Sequence, residues 1–215
     1  MTAPFDLIRR IGVVPVIAIE RRADALPLAD ALLEGGLPVA EITFRTAAAA
    51  EIIADIHEKR PELCVGAGTI LDLPSLDVAI KAGASYGLAP GFDGKIVAAA
   101  AKAGLPFAPG IMTPSDLSAA AAAGSRLLKF FPAGPAGGPK MLEAISAPFA
   151  HLGLTFIPTG GISEETMPDW LKLKSVVAIG GSWIARTEDI SAGRFAEITQ
   201  RARAAVAAVA RVRGN

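Results

Sequence analysis

Lys129 stands in an otherwise apolar run, with Leu127 and Leu128 on one side and Phe130 and Phe131 on the other. Lysine is almost never fully buried unless a counter-ion compensates it, because an isolated ammonium in an apolar setting either pairs or loses its proton. Desolvation favours the uncharged amine, which is nucleophilic and condenses with a ketone to form a Schiff base. The run therefore predicts either a buried salt bridge or an amine that performs covalent chemistry.

Polar side chains also occur at alternate positions of an earlier run, at Glu41, Thr43 and Arg45. Because successive side chains of a strand point to opposite faces, these three share one face, and we expect that face to point inward. A carboxylate there could move protons during imine chemistry, directly or through one water. The alternative is a buried ion pair between Glu41 and Arg45.

These residues belong to a series of short β-branched runs separated by alanine-rich segments of helical length. The alternation predicts βαβ units and a parallel sheet. Eight units without a linker or a composition break predict one (β/α)₈ TIM barrel domain over residues 1–215, rather than a doubly wound open sheet. The runs lie at 13–19, 39–45, 64–69, 86–90, 106–112, 126–133, 155–161 and 176–184.

Two further segments complete this architecture. Residues 3–11 predict a short helix that caps the amino-terminal end of the barrel, and residues 194–214 predict its eighth helix. The arginines of the last segment indicate a solvated helix face rather than a surface for nucleic acid or membrane, because alanine and valine recur at helical spacing.

In this fold the functional groups come from the carboxyl ends of the strands. Lys129 and Phe131 share a face of the sixth strand, which lies opposite the second strand in an eight-stranded barrel. Lys129 and Glu41 are therefore expected to face each other across the interior, with room for a small substrate between them. A simple Lys129–Glu41 salt bridge remains the alternative.

The last two strands end in glycine pairs, Gly160–Gly161 and Gly180–Gly181, the second followed by Ser182. Backbone amides without Cβ obstruction, next to a helix start, form an anion cradle, and the loops after strands seven and eight are the usual phosphate site of this fold. These loops predict a phosphate-binding site.

Thr69, at the end of the third strand, is predicted to lie beside Arg45. Together they could bind a carboxylate, with the arginine supplying charge and the hydroxyl a directed hydrogen bond. Alternatively, Thr69 satisfies its own backbone. Pro90 begins the loop after the fourth strand and either shapes the pocket or serves the turn.

Composition narrows the classes of partner. The 21 basic residues balance the 21 acidic ones, so no overall field would attract nucleic acid or anionic lipid. No apolar stretch approaches the length of a membrane helix, and the single cysteine, Cys64, suggests a reducing compartment, so we expect a cytoplasmic protein. Neither metal-ligand spacing nor a dinucleotide fingerprint is found, so no metal and no cofactor are expected.

Seven motifs, in order, resemble the bacterial 2-dehydro-3-deoxy-6-phosphogluconate (KDPG) aldolases. These are class I Schiff-base enzymes of the Entner–Doudoroff pathway, which often also act on 4-hydroxy-2-oxoglutarate (KHG). The resemblance covers nearly the whole chain. The motifs are EITFRT (41–46), VGAGTI (65–70), LAPGF (88–92), PGIMTPSD (109–116), LKFFPA (128–133), PTGGIS (158–163) and IGGSW (179–183).

The resemblance implies a cofactor-free lyase that forms pyruvate and glyceraldehyde 3-phosphate, typically as a homotrimer. It implies the Schiff base on Lys129 and acid/base chemistry on Glu41. Pyruvyl carboxylate contacts would come from Arg45 and Thr69, and contacts to the distal hydroxyls and phosphate from Thr159, Gly160, Gly161 and Ser182.

One departure from the family concerns Gly134, which stands where many members have glutamate. Loss of that carboxylate could alter the substrate range without touching the imine chemistry. The alternatives are therefore an aldolase for the galactonate epimer or for KHG, another phosphate-binding barrel such as an isomerase, and a scaffold that binds sugar phosphates without turnover.

Overall fold

The computed structural model describes residues 4–214, in which helices and short strands alternate. The strands are β1 (Val13–Ile17), β2 (Val39–Thr43), β3 (Cys64–Gly68), β4 (Gly87–Leu88), β5 (Phe107–Ala108), β6 (Gly110–Ile111), β7 (Leu127–Phe130), β8 (Thr155–Pro158) and β9 (Ile179–Gly181). The helices are α1 (Pro4–Ile11), α2 (Ala25–Glu34), α3 (Ala49–Lys59), α4 (Leu73–Lys81), α5 (Gly94–Lys102), α6 (Pro114–Ala122), α7 (Gly138–Ser146), α8 (Met167–Leu171), α9 (Thr187–Ser191) and α10 (Phe195–Arg213). Two 3₁₀ helices, Arg22–Asp24 and Ala147–Leu152, complete the set for this range.

Every strand pairing is parallel, as the alternation of runs predicts. Six strands follow the order β5-β4-β3-β2-β1-β9, and three more follow the order β6-β7-β8. Parallel bridges Phe156↔Val176 and Thr159↔Gly180 join β8 to the β9 segment. The α/β class with a parallel sheet is therefore confirmed.

The fifth predicted run forms two short strands instead of one. Pro109 separates β5 from β6 and has no amide hydrogen to donate to a neighbouring strand. Its carbonyl still accepts the Lys129 amide at 2.9 Å, so the segment stays beside β7.

The second predicted strand is shorter than expected. β2 ends at Thr43, where the Arg45 amide donates to the Thr43 carbonyl at 2.8 Å and turns the chain. Arg45 therefore belongs to the turn after the strand, and its side chain is exposed.

Local signals in the sequence set the helix ends, as α6 illustrates. The Thr113 hydroxyl accepts the Asp116 amide at 3.2 Å, and the Asp116 carboxylate accepts the Thr113 amide at 2.9 Å. This capping box satisfies amides of the first turn, and Pro114 fits the first helical position because its missing hydrogen is not needed there. Gly124, at φ +85°, then takes the left-handed conformation just past the helix end.

Both terminal helices bury apolar side chains. Ile8 of α1 is fully buried, and the Phe5 ring packs against that of Tyr86 with centroids 6.0 Å apart. α10 packs against α2 and α8 through buried positions such as Ile198 and Ala202. No helix between residues 4 and 214 is both long and apolar enough to cross a membrane.

Tyr86 occupies a space that a glycine leaves open. A Cβ on Gly66 would lie 2.2 Å from the tyrosine ring, so only glycine fits beside it. The Tyr86 hydroxyl is completely buried and donates to the Ala40 carbonyl at 2.7 Å, which ties the β4 segment to β2. Burial, followed by the negative charges of Cys64 and Glu41, raises the pKa of Tyr86 well above its ordinary value of 10.0.

We expect Tyr86 to make stability fall in alkali. Above about pH 10 the unfolded chain releases the phenolic proton while the folded chain keeps it, so the free energy of unfolding decreases as pH rises. Tyr86→Phe should cost about 1 kcal/mol at neutral pH through the lost hydrogen bond, and the difference from the parent protein should shrink or reverse in alkali. Urea unfolding at both pH values measures this.

The same experiment has an independent readout, because Tyr86 is the only tyrosine of the chain. Phenolate absorbance should appear only as the protein unfolds. A folded protein that shows an ordinary tyrosine titration would contradict the expectation.

Candidate functional site

A cavity of about 260 Å³ opens at the carboxyl ends of the strands. It is lined by eleven of the residues that the sequence singled out, drawn from six different strands or the loops that follow them. These are Thr43, Arg45, Thr69, Pro90, Lys129, Phe131, Thr159, Gly160, Gly161, Gly180 and Ser182. The structure therefore brings most of the predicted site together in one place.

The Lys129 ammonium nitrogen lies 2.9 Å from Glu41 Oε1. Lys129 is 4% exposed and Glu41 only 1%. Their strands, β7 and β2, are not neighbours in the sheet, so the two side chains face each other as expected. The expected room for a substrate between them is absent, because they form the direct salt bridge that the sequence left as the alternative. Lys129 lines the cavity, whereas Glu41 is not among the lining residues and reaches the cavity through its contact with the amine. A proton can pass between the two groups along this contact.

The alternative ion pair between Glu41 and Arg45 is not what the structure shows, because the carboxylate bonds to Lys129. Arg45 Nε instead donates to the Thr43 hydroxyl at 3.2 Å, and that hydroxyl donates to the Ile17 carbonyl at 3.0 Å. This chain of bonds fixes the arginine at the mouth of the cavity, with its charge available to an anion.

Thr69 has φ +60°, a left-handed conformation that a β-branched residue rarely adopts. The amide of the next residue, Ile70, donates to the Leu88 carbonyl at 3.1 Å and holds the loop against the β4 segment. Such backbone strain is typical of positions that a ligand site requires. The conformation places Thr69 in the cavity lining together with Arg45, as the sequence predicts.

The glycine loop after β8 also requires its glycines. Gly160 has φ +94° and Gly161 φ +74°, which side chains tolerate poorly. A Cβ on Gly160 would lie 3.1 Å from the Phe131 ring, and one on Gly161 would lie 3.0 Å from Pro135. The loop therefore presents bare backbone to the cavity.

Gly181 is placed differently from its neighbours. Gly180 and Ser182 line the cavity, whereas Gly181 does not. Because successive residues of β9 face opposite sides of the strand, Gly181 faces away from the cavity. A Cβ on it would lie 1.8 Å from the Trp183 ring and overlap it. Within the IGGSW motif, Gly180 therefore lines the cavity, whereas Gly181 packs against Trp183.

Sequence reasoning missed two apolar lining residues, Val16 and Ile162. Val16 is in register with Glu41 across the β1–β2 pairing, so strand parity could have identified it. Thr43 also lines the cavity, which agrees with its predicted inward face.

Potential metal ligands and the cysteine do not form a cluster within residues 4–214. Between residues 4 and 214, no group of three or more histidine, cysteine or acidic side chains could hold a metal ion. Cys64 begins β3, at the end of the strand away from the cavity, and burial raises the pKa of its thiol, which makes it less reactive.

Gly68, the last residue of β3, leaves room for the Glu41 carboxylate. A Cβ there would lie 2.0 Å from Glu41 Oε1. We expect Gly68→Ala to displace this carboxylate from Lys129, lowering kcat by about 10²-fold and stability by about 1–3 kcal/mol. Steady-state rates and urea unfolding measure the two effects.

Gly91→Ala is the matched control, because nothing lies within 4 Å of a Cβ at Gly91 and its φ is not left-handed. It should change neither quantity appreciably. A fully active Gly68→Ala enzyme would show that the position of Glu41 does not matter for turnover.

Comparison with protein families gives a match over residues 6–201, to the family described as "Aldolase: KDPG and KHG aldolase". The KHG/KDPG aldolase of Escherichia coli (strain K12) is 43% identical over 194 residues, which are 90% of each chain. The 2-dehydro-3-deoxy-phosphogluconate aldolase of Pseudomonas aeruginosa is 40% identical over 206 residues, which are 95% of this chain and 93% of that one.

Among solved structures, the KDPG aldolase of Legionella pneumophila matches with a TM-score of 0.90 and 36% identity. The match covers 94% of this chain and 98% of that one. That protein was crystallised with pyruvate captured at low pH as a covalent carbinolamine intermediate.

Proposed function

The chain belongs to the KDPG and KHG aldolase family, and from this we propose that Lys129 and Glu41 carry out its reaction. The protein is a class I aldolase, a carbon–carbon lyase that cleaves KDPG to pyruvate and glyceraldehyde 3-phosphate through a lysine Schiff base. The observation that supports the residue assignment is the buried 2.9 Å contact between an amine that lines the cavity and a carboxylate behind it.

In the proposed mechanism, the Lys129 amine adds to the C2 ketone, and loss of water from the carbinolamine gives the imine. The protonated imine is the electron sink. When the C3–C4 bond breaks, its electron pair moves into the enamine, and Glu41 takes the proton from the C4 hydroxyl as glyceraldehyde 3-phosphate forms. Glu41 then returns a proton to C3, and hydrolysis of the imine releases pyruvate and the free amine.

The lining of the cavity supports the assignment of its two ends. Arg45 and Thr69 would bind the pyruvyl carboxylate next to the imine. Pro90 and Phe131 would form walls, and the Lys129 nitrogen lies 5.8 Å from the Phe131 ring centroid. The distal hydroxyls and the phosphate would lie against Thr159, Gly160, Gly161 and Ser182.

A second substrate has specific support. The Escherichia coli relative is a KHG/KDPG aldolase, so KHG is the first alternative substrate to measure, followed by the galactonate epimer of KDPG.

Gly134 is the residue of this chain that is relevant to the range of substrates. Its amide donates to the Gly160 carbonyl at 2.8 Å, and a Cβ on it would approach the Gly161 carbonyl oxygen to 2.9 Å. In this chain the residue packs against the glycine loop and contributes no charge there.

Borohydride reduction in the presence of pyruvate, followed by peptide mass spectrometry, tests the assignment of Lys129. A reduced pyruvyl adduct on the peptide containing Lys129 is expected. An adduct on another lysine would refute the assignment. Comparison of kcat/KM for KDPG, its galactonate epimer and KHG then ranks the substrates, with the phosphorylated ones expected to be the better.

We infer that the strands close into one (β/α)₈ barrel domain, with α1 at its amino-terminal end. Three observations support closure: β9 pairs with β1, parallel bridges join β8 to the β9 segment, and only Pro109 separates β5 from β6. The contact of Phe5 with Tyr86 supports the position of α1.

A homotrimer and a cytoplasmic location stay predictions. Exposed apolar side chains at Leu71 (63%), Leu73 (46%) and Val78 (42%) give α4 and its preceding loop a surface suited to self-association. Sedimentation equilibrium should give three times the chain mass of 22.0 kDa.

A further inference from the structure

The phosphate end of the cavity has no charged side chain in its lining. Only two lining residues are charged, Lys129 and Arg45, and the proposed function assigns them to the imine and the carboxylate. The residues at the other end are uncharged. A phosphate monoester carries a charge of about −1.5 to −2 at neutral pH. If the proposed function holds, the substrate therefore brings to this end a charge that its lining does not neutralise.

A second cavity of about 200 Å³ adjoins this end. It shares Val16, Arg45 and Ser182 with the first cavity, so the two cavities adjoin along these residues. Its outer wall comes from the loop after β9 and the first turn of α9, where Arg186 and Glu188 line it. A cation on this loop therefore borders the space beside Ser182.

Hydrogen bonds hold the backbone of this segment at Arg186 and Thr187. The Thr187 hydroxyl donates to the Ala18 carbonyl at 3.2 Å, which ties the loop to the end of β1. The Arg186 carbonyl accepts the amides of Asp189 and Ile190 at 3.0 and 3.1 Å. The backbone at Arg186 is thus fixed before any ligand binds, and only the side chain has to be ordered.

The charge of Arg186 is not used elsewhere in the described chain. The nearby carboxylate of Asp189 is buried and pairs with Arg194 and Arg201. Arg186 is exposed and has no ion-pair partner among residues 4–214. Glu188, which also lines the second cavity, would repel an anion placed deep in it, so the favourable position for an anion is at the Ser182 end.

We propose that Arg186 binds the distal phosphate of the substrate across the second cavity and thereby selects phosphorylated sugar acids. The guanidinium fork matches two phosphate oxygens, and its charge supplies the cation that the glycine loop lacks. The proposal rests on the proposed function and deepens it. Because Arg186 does not line the cavity that holds the Lys129 amine, it affects binding and leaves the imine chemistry intact.

The test compares KDPG with 2-dehydro-3-deoxygluconate, the same sugar acid without the phosphate. Arg186→Ala should lower kcat/KM for KDPG about tenfold and leave that for the unphosphorylated acid unchanged. Arg186→Lys should recover part of the loss, because it restores charge but not the fork. Arg211→Ala is the control, because it removes one positive charge, as Arg186→Ala does. Arg211 is exposed in the last turn of α10, where the neighbouring Arg213 contacts α1.

Direct titration with inorganic phosphate gives a readout that does not need turnover. Phosphate should bind about tenfold more weakly to the Arg186→Ala protein than to the parent or the Arg211→Ala protein. Equal losses on both sugar acids, no loss on KDPG, or unchanged phosphate binding would overturn the proposal. A parent protein that binds phosphate but cleaves neither acid would refute the proposed function instead.

Discussion

Lys129→Met should abolish cleavage of KDPG, with kcat falling by at least about 10⁴-fold, because methionine keeps the unbranched shape and cannot form an imine. The same variant should give no borohydride-trapped adduct with pyruvate. Pyruvate release under steady state and mass spectrometry of the reduced protein measure the two losses. Since the nucleophile is the group that forms the covalent bond, no neighbouring side chain should recover the rate.

A second effect of this substitution concerns folding. Removing the ammonium leaves the Glu41 carboxylate 1% exposed and without its partner, and such a loss typically costs about 3–5 kcal/mol of stability. The double variant Lys129→Met/Glu41→Gln removes both charges and should recover most of that stability. It should remain inactive, which separates the chemical role of the lysine from its structural one.

Lys172→Met is the control for the lysine itself. The Lys172 side chain is 67% exposed and pairs with Asp169 at 2.9 Å, a surface contact worth about 0–1 kcal/mol. Activity and urea midpoint should both stay close to those of the parent protein. If Lys129→Met retained turnover while folded, the Schiff-base assignment would be wrong.

That Lys129 and Glu41 face each other could be predicted from two simple rules, whereas their direct contact could not. Side-chain alternation gives each residue its face, and an eightfold series of βα units puts the second and sixth strands opposite each other. The distance of 2.9 Å could not be predicted from the sequence, because it depends on how the strands twist and on how much space Gly68 leaves.

Other features could not be predicted, for identifiable reasons. Ile162 lines the cavity, but this apolar side chain lies outside any strand and carries no chemical signal that separates lining from core. Gly180 and Gly181 are identical in sequence, so only the direction of β9 distinguishes the one that meets the cavity. Pro109 interrupts the fifth strand because its nitrogen carries no hydrogen, although the flanking residues have strand character.

Arg186 illustrates a different limit. Its residue type was visible in the sequence, but it lies beyond the last strand motif, and only the shared lining at Ser182 connects it with the site. Arg186 follows Ser182 in the same loop, but residue spacing alone does not show whether the arginine borders the cavity. For this reason the connection of Arg186 with the site comes from the structure.

Glu41→Gln should lower kcat for KDPG by about 10²–10⁴-fold, because the amide keeps the shape of the side chain but cannot take a proton from the C4 hydroxyl. Lys129 should remain able to trap pyruvate. The distinguishing measurement is exchange of the methyl protons of pyruvate in deuterium oxide, followed by NMR. This exchange reports proton transfer at C3 without bond cleavage, so the variant should lose it to a similar extent as it loses turnover.

Comparison with Glu51→Gln shows whether the effect is local, since Glu51 is exposed on α3 and forms a surface pair with Arg22 at 3.3 Å. That variant should exchange pyruvate protons at the parental rate. If Glu41→Gln lost cleavage but kept full exchange, Glu41 would act only on the C4 hydroxyl and another group would protonate the enamine. If it kept both, the carboxylate would serve mainly to position the amine, because the 2.9 Å contact would then contribute to the geometry of Lys129 and not to proton transfer.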